Sequence, residues 1–224
     1  MNLQQHLEQE RVHWLQEQPA PASAVEVMAM ELLRRAGIEG KALRVGERAP
    51  GFRLRDQQGQ AVELEGLLMD GPAVLLFYRG RWCPFCSLTL RSYQQSVSRF
   101  AGLRTSVVAI SPQGSIATAQ TAESLGTGLP LLSDLGSHVA RAYGLAYDLP
   151  AGLKALFEGE YATPLPEINA DGGWSLPVAA TYVIGQNGTV LRAHVDVDYR
   201  RREDPADLLR WLASHHSGET EEGA

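Results

Sequence analysis

The stretch Val74-Leu75-Leu76-Phe77-Tyr78-Arg79-Gly80-Arg81-Trp82-Cys83-Pro84-Phe85-Cys86 decides the fold. Val74 to Tyr78 is a continuous apolar run of strand length, the pattern of a strand buried on both faces. A short glycine-containing loop follows. Pro84 suits the first position of a helix, where its missing N–H costs nothing. Cys83 then caps that helix and Cys86 lies in its first turn. Both thiols face the positive end of the helix dipole, where free backbone N–H groups favour a thiolate. Arg79 and Arg81 add two cations within a few residues.

Cys83 and Cys86 are the only cysteines among 224 residues. Two cysteines cannot build the disulfide framework of a small secreted domain. A zinc site would need two more ligands, and the histidines (His6, His13, His138, His194, His215, His216) form no H-x(3–5)-H spacing. Inert core cysteines need no particular spacing. Redox chemistry fits best, because a thiolate attacks both disulfides and peroxides and this spacing permits a disulfide within the pair.

Composition narrows the partners. The chain is 44% hydrophobic and 21% charged, which excludes a mostly disordered protein. Its net charge of −6 argues against bulk nucleic-acid binding, which needs a basic footprint. Met1 to Trp14 has no apolar signal region, and no apolar run approaches the roughly 20 residues of a membrane span. The expectation is a cytoplasmic protein with no membrane and no nucleic-acid partner.

Three zones follow outward from the cysteine pair. Residues 1–44 read as a separate helical extension. Asn2 to Gln18 is a first helix broken by Pro19-Ala20-Pro21, and Ser23 can cap a second helix that Gly37 ends. The apolar stripe Val25, Met28, Ala29, Leu32, Leu33 and Ala36 either folds back on its own domain or forms a homodimer surface. Residues 45–215 alternate strands and helices: a helix over 88–100, a strand over 106–110, a helix over 115–125, a short strand over 129–132 and a short helix over 137–143. Strands over 181–184 and 190–197 meet at the hairpin turn Gln186-Asn187-Gly188. A helix over 205–213 has Asp204 as candidate cap and Pro205 at its first position. The fold class is α/β, a mixed sheet flanked by helices. Residues 146–177 interrupt the alternation and read as a long loop, either a lid or a surface insertion, with a short helix at Leu153 to Phe157. Residues 216–224 form an acidic tail with the composition of a disordered one.

Several segments together resemble the alkyl hydroperoxide reductase/thiol-specific antioxidant (AhpC/TSA) family, the peroxiredoxins, in the branch that carries C-x-x-C. They are Val45 to Phe52, Phe77 to Cys86, Val107 to Pro112, Leu131 to Asp134, Thr181 to Ile184 with Gly188, and His194 to Tyr199. The resemblance spans about residues 45–213 and implies a thioredoxin-like fold of peroxiredoxin type. It implies a thiol-dependent antioxidant enzyme that reduces H2O2 or organic hydroperoxides and takes no cofactor or metal. An external dithiol, such as a thioredoxin-like protein, would reset it.

The family pattern P-x-x-x-T-x-x-C puts Arg79 on the proline, Cys83 on the threonine and Cys86 on the peroxidatic cysteine. The family arginine that helps polarise peroxide falls on Ala179, and Pro177 lies two positions before the place of a thioredoxin-type cis-proline. Trp82-Cys83-Pro84-Phe85-Cys86 also resembles the W-C-x-x-C of thioredoxins, in which Cys83 would attack and Cys86 resolve. The peroxiredoxin pattern reverses those roles, and the resemblance over the rest of the chain favours Cys86. Arg79, Arg81, Arg91 and the run Arg200-Arg201-Arg202 are candidates for the missing arginine; Arg79, Arg81, Trp82 and Pro84 are the candidate supporting residues. The alternatives are a protein disulfide oxidoreductase and a redox-sensing binding protein. His194, Asp196 and Asp198 alternate with Val195 and Val197 and read as a solvated strand face, not an acid–base group.

Overall fold

The computed structural model describes residues 2–18, 20–126 and 128–219. Along the chain come α1 (Leu3–Glu17), α2 (Ala20–Arg35), α3 (Ile38–Lys41), β1 (Arg53–Arg55), β2 (Ala61–Glu63), α4 (Leu64–Leu67), β3 (Ala73–Phe77) and α5 (Pro84–Gly102). Then follow β4 (Ser106–Ser111), α6 (Ser115–Leu125), β5 (Leu131–Ser133), a 3-10 turn (Leu135–Ser137), α7 (His138–Ala142), β6 (Ala146–Asp148), α8 (Ala151–Glu158) and α9 (Leu165–Ile168). The last elements are β7 (Ser175–Pro177), β8 (Ala180–Ile184), β9 (Val190–Val195) and α10 (Pro205–Glu219).

A mixed sheet of order β2-β1-β5-β4-β3-β8-β9 forms the centre. The strands β3, β4 and β5 are parallel, and β8 and β9 add an antiparallel hairpin beside β3. The strand before the cysteines is therefore an interior strand, between β4 and β8, and every residue of β3 is buried. Its side chains alternate between two cores. Leu75 and Phe77 pack with Ile110, Tyr143 and Tyr182 on one face. Val74, Leu76 and Tyr78 pack with Leu90, Tyr93 and Leu208 under α5 and α10 on the other.

The hairpin turn is where the sequence puts it: Gly188 has φ +80° and its N–H donates to the Gly185 carbonyl at 2.8 Å. Asp204 caps α10 by accepting from the Ala206 N–H at 2.8 Å. That helix runs past Ala213 to Glu219, so the expected tail overlaps it; residues 220–224 lie outside the described residues. The β1–β2 hairpin escapes the sequence reading because each strand is three residues with one half-buried apolar centre, too short for a period to show.

The N-terminal helices do not stand apart. Leu3, Leu7 and Met30 enter the core under α5, and Leu33 enters the opposite one. Ser23 lies inside α2, whose start precedes Pro21, because proline is tolerated in a first turn. The apolar stripe divides: Ala29 and Leu33 turn inward, while Met28 and Leu32 are exposed together with Val27.

Residues 146–177 are a folded insertion, not a loop. β6 and β7 close it as an antiparallel ladder. Leu153, Phe157, Leu165 and Leu176 form a small core of their own with Ala29 of α2.

Candidate active site

The β3–α5 junction carries the redox pair as the local sequence dictates. Cys83 is the N-cap of α5 with extended backbone, and Pro84 is its first residue. The Cys83 carbonyl accepts from the N–H groups of Cys86 and Ser87 at 3.0 and 3.1 Å, so the helix begins at the pair. Gly80 has φ +151°, and a Cβ there would stand 2.4 Å from the Trp82 indole nitrogen. Only glycine lets the loop turn this tightly under Trp82. Gln113 fixes the loop from below: its Oε1 accepts from the Arg81 N–H at 2.7 Å and its Nε2 donates to Thr121 at 2.9 Å.

Both cysteines are buried, Cys83 at 2% and Cys86 at 0% exposure. They differ in what surrounds the sulfur. The Arg79 backbone N–H and Arg202 Nη2 each lie 3.5 Å from Cys86 Sγ. Burial alone pushes the Cys86 thiol up. A hydrogen bond from Cys83, the charge of Arg202, the Arg79 N–H and the charge of Arg79 outweigh it and hold Cys86 well below an ordinary thiol. Cys83 moves the other way: burial, its hydrogen bond to Cys86 and the Cys86 charge push it well above. The two directions oppose each other: the surroundings of Cys86 favour a thiolate and those of Cys83 a neutral thiol. Two tyrosines face the pair: desolvation raises both the buried Tyr78 and the half-buried Tyr147.

Arg79 is buried between two rings, its guanidinium carbon 4.1 Å from the Tyr199 ring centre and 4.8 Å from that of Trp82. A desolvated stack of this kind contributes about 2 kcal/mol and holds the guanidinium in one plane. A cavity of about 220 Å³ opens above Cys83. Arg79, Trp82, Pro84, Phe85 and Tyr199 line it, with Trp14 and Glu26 from the N-terminal helices and Phe157 and Tyr161 from the insertion. Phe157 meets Trp82 edge to face at 4.9 Å. The insertion thus acts as a roof.

Of the residues singled out from the sequence, Cys83, Cys86, Arg79, Trp82 and Pro84 come together. Arg81 does not: its side chain is exposed and only its backbone N–H is used. Arg91 is exposed as well. In the arginine run, Arg200 pairs with Asp198 at 2.6 Å, Arg201 is exposed, and Arg202 reaches Cys86. Ala179 is buried and offers no polar atom where the family has arginine. His194 pairs with Glu203 at 3.7 Å, so its polar face is engaged with a neighbour and is not simply solvated. The sequence reading missed Glu26, Gln113 and the ring role of Tyr199. Tyr199 stood in a matching segment, whereas no local pattern marks the other two.

The chain matches the AhpC/TSA family over residues 45–193. A Mycobacterium tuberculosis (strain CDC 1551) protein named as a peroxiredoxin is 35% identical over 103 residues, 46% of this chain and 67% of that one. The crystal structure of the peroxidoxin BcpB from M. tuberculosis superposes with a TM-score of 0.60 at 27% identity, covering 77% of this chain and 97% of that chain. The thiol-disulfide oxidoreductase ResA of Halalkalibacterium halodurans is 28% identical over 103 residues, 46% of this chain and 57% of that protein. The mixed sheet with its flanking helices is therefore the thioredoxin-like fold of the peroxiredoxins. The match covers two thirds of the chain and includes both cysteines, and the chain belongs to the AhpC/TSA family.

Proposed function

We propose that the chain is a thiol peroxidase in which Cys86 is the attacking thiolate and Cys83 resolves it. The observation that carries this reading is the 3.5 Å contact of Arg202 Nη2 with Cys86 Sγ, joined by the Arg79 N–H at the same distance. The Cys86 thiolate attacks one peroxide oxygen, the O–O bond breaks, and the other oxygen leaves as hydroxide or alkoxide and takes a proton. Cys86 becomes a sulfenic acid. Cys83 attacks that sulfur, water leaves, and a Cys83–Cys86 disulfide remains. An external dithiol reduces it through a mixed disulfide. Arg79 and Arg202 stabilise the thiolate first and the departing oxyanion next, as paired cations at a site of developing negative charge do. The aromatic cavity suits the carbon group of an organic hydroperoxide, and H2O2 needs none of it.

A second reading is a thioredoxin-like disulfide oxidoreductase. It is supported by Cys83, and not Cys86, lining the cavity. Either activity suits a reducing compartment such as the cytoplasm. Among the described residues no helix is long and apolar enough to cross a membrane.

Stopped-flow oxidation of wild type, Cys83→Ser and Cys86→Ser tests the assignment. Cys83→Ser should accumulate a sulfenic acid and Cys86→Ser should not react. If no variant forms a sulfenic acid and wild type reacts no faster than free cysteine, the peroxidase reading fails. Insulin-disulfide reduction on the same panel tests the second reading, in which Cys83→Ser abolishes turnover.

A further inference from the structure

We propose that Glu26, carried by α2, is a positioning residue of the redox site that acts on Cys86 through Tyr199 and Arg79. Glu26 is buried at 8% exposure, and its carboxylate accepts from Tyr199 OH at 2.7 Å, Tyr161 OH at 2.9 Å and Trp14 Nε1 at 3.4 Å. A buried carboxylate is costly unless bonded, so three donors from three separate segments make this a knot and not an accident of packing. The bond to Tyr199 pins that ring at its hydroxyl end, while Phe85 meets it at 5.5 Å. The pinned ring face carries the Arg79 guanidinium at 4.1 Å. Arg79 in turn supplies both its N–H and its charge to Cys86.

A second contact braces the same segment. Gln4 of α1 donates to the Arg202 carbonyl at 2.6 Å and so holds the backbone whose side chain reaches Cys86. Gln4, Glu26, Tyr199 and Arg202 all lie outside residues 45–193, the part that matches the family. An arginine absent at Ala179 thus has a counterpart in Arg202 from the C-terminal side, and the N-terminal helices bond the segment that carries it.

The inference rests on Cys86 being the thiolate of the pair, and charge alone makes the opposite prediction. Glu26 brings a carboxylate to the cavity that Cys83 lines, so deleting it would lower the thiolate pKa if only Coulomb repulsion mattered. A positioning role raises it, because Arg79 is released. The test is titration of the reduced full chain by ultraviolet thiolate absorbance and by iodoacetamide alkylation. The panel is wild type, Glu26→Gln, Glu26→Ala, Tyr199→Phe, the double variant Glu26→Ala/Tyr199→Phe, and Leu33→Ala as a destabilised reference from the other core.

Glu26→Ala and Tyr199→Phe should each raise the thiolate midpoint by about one unit, which slows alkylation roughly tenfold at pH values below the wild-type midpoint. Glu26→Gln keeps an acceptor for Tyr199 and should stay at or below the wild-type pKa. The double variant should be no worse than the worse single, as expected when one residue acts through the other. Leu33→Ala should lose stability without moving the thiolate. A downward or absent shift in Glu26→Ala, or additive effects in the double, overturns the proposal. Should Glu26→Ala not fold, an unshifted Tyr199→Phe overturns it equally. Peroxide oxidation of the same panel separates the two readings: shifted thiolates that ignore peroxide leave the positioning role standing and remove the peroxidase.

Discussion

Arg202 Nη2 lies 3.5 Å from Cys86 Sγ, although 116 positions of sequence separate the two residues. Both are buried, so little water screens the contact. Arg202→Met keeps most of the volume and removes the charge. Its expected result is a higher thiolate pKa and peroxide oxidation at neutral pH slowed by roughly 10- to 100-fold, the range set by losing one close opposite charge. Arg81→Ala, on an exposed side chain, should change the rate less than twofold. Stopped-flow rates for the two variants against pH check both.

The two cysteines give stability a crest in pH. Cys86 has a folded pKa well below 9.0, so the unfolded chain holds its proton to higher pH. Stability of the reduced protein therefore rises with pH from the folded Cys86 pKa up to about 9, by at most about 1.4 kcal/mol per unit. Cys83 has a folded pKa well above 9.0, so beyond that point the unfolded chain loses a proton the folded one keeps, and stability turns down. Urea unfolding of reduced wild type and Cys86→Ser from pH 6 to 10 measures this. The difference should widen as pH rises toward 9; a difference independent of pH would contradict the depressed thiolate.

Phe157 ties the insertion to the site. It is almost fully buried and meets Trp82 at 4.9 Å and Tyr161 at 5.5 Å. Phe157→Ala should cost about 3–5 kcal/mol in denaturant unfolding. The rate with an aralkyl hydroperoxide should fall more than the rate with H2O2, because only the larger substrate uses the aromatic wall. Equal losses for both substrates would mean that the cavity does not bind the carbon group.

Gly80→Ala puts a methyl group where the Trp82 indole nitrogen lies 2.4 Å from the new carbon, at φ +151°. Trp82 must move off Arg79 to make room. The expected cost is about 1–3 kcal/mol, with slower alkylation of the reduced pair. Thermal unfolding and iodoacetamide kinetics report the two effects separately.

The sequence was most legible where period and punctuation coincide. The fully apolar β3, the proline after Cys83 and the Asn187-Gly188 turn each dictate their local structure, and the C-x-x-C spacing dictates the pair. Short elements with one half-buried residue, such as Arg53–Arg55, carry no such pattern. The site divides in the same way. Arg79 is a neighbour of the pair in sequence and was visible. Arg202 was visible only as one of three consecutive arginines, because which of them turns inward depends on a loop no pattern encodes. Glu26 and Gln113 were invisible, since a polar residue in a helix or loop normally faces water and only tertiary packing buries these two.

Cys83 gives α5 its cap and Cys86 occupies the first turn, with the backbone bonds from Cys86 and Ser87 both ending on the Cys83 carbonyl. A bond between the two sulfurs involves none of those backbone groups. Oxidation then asks no segment to melt and no partner cysteine to travel. Hydrogen-exchange protection across α5 should therefore be the same in the dithiol and disulfide forms, and a loss of protection on oxidation would show that the helix start has to open.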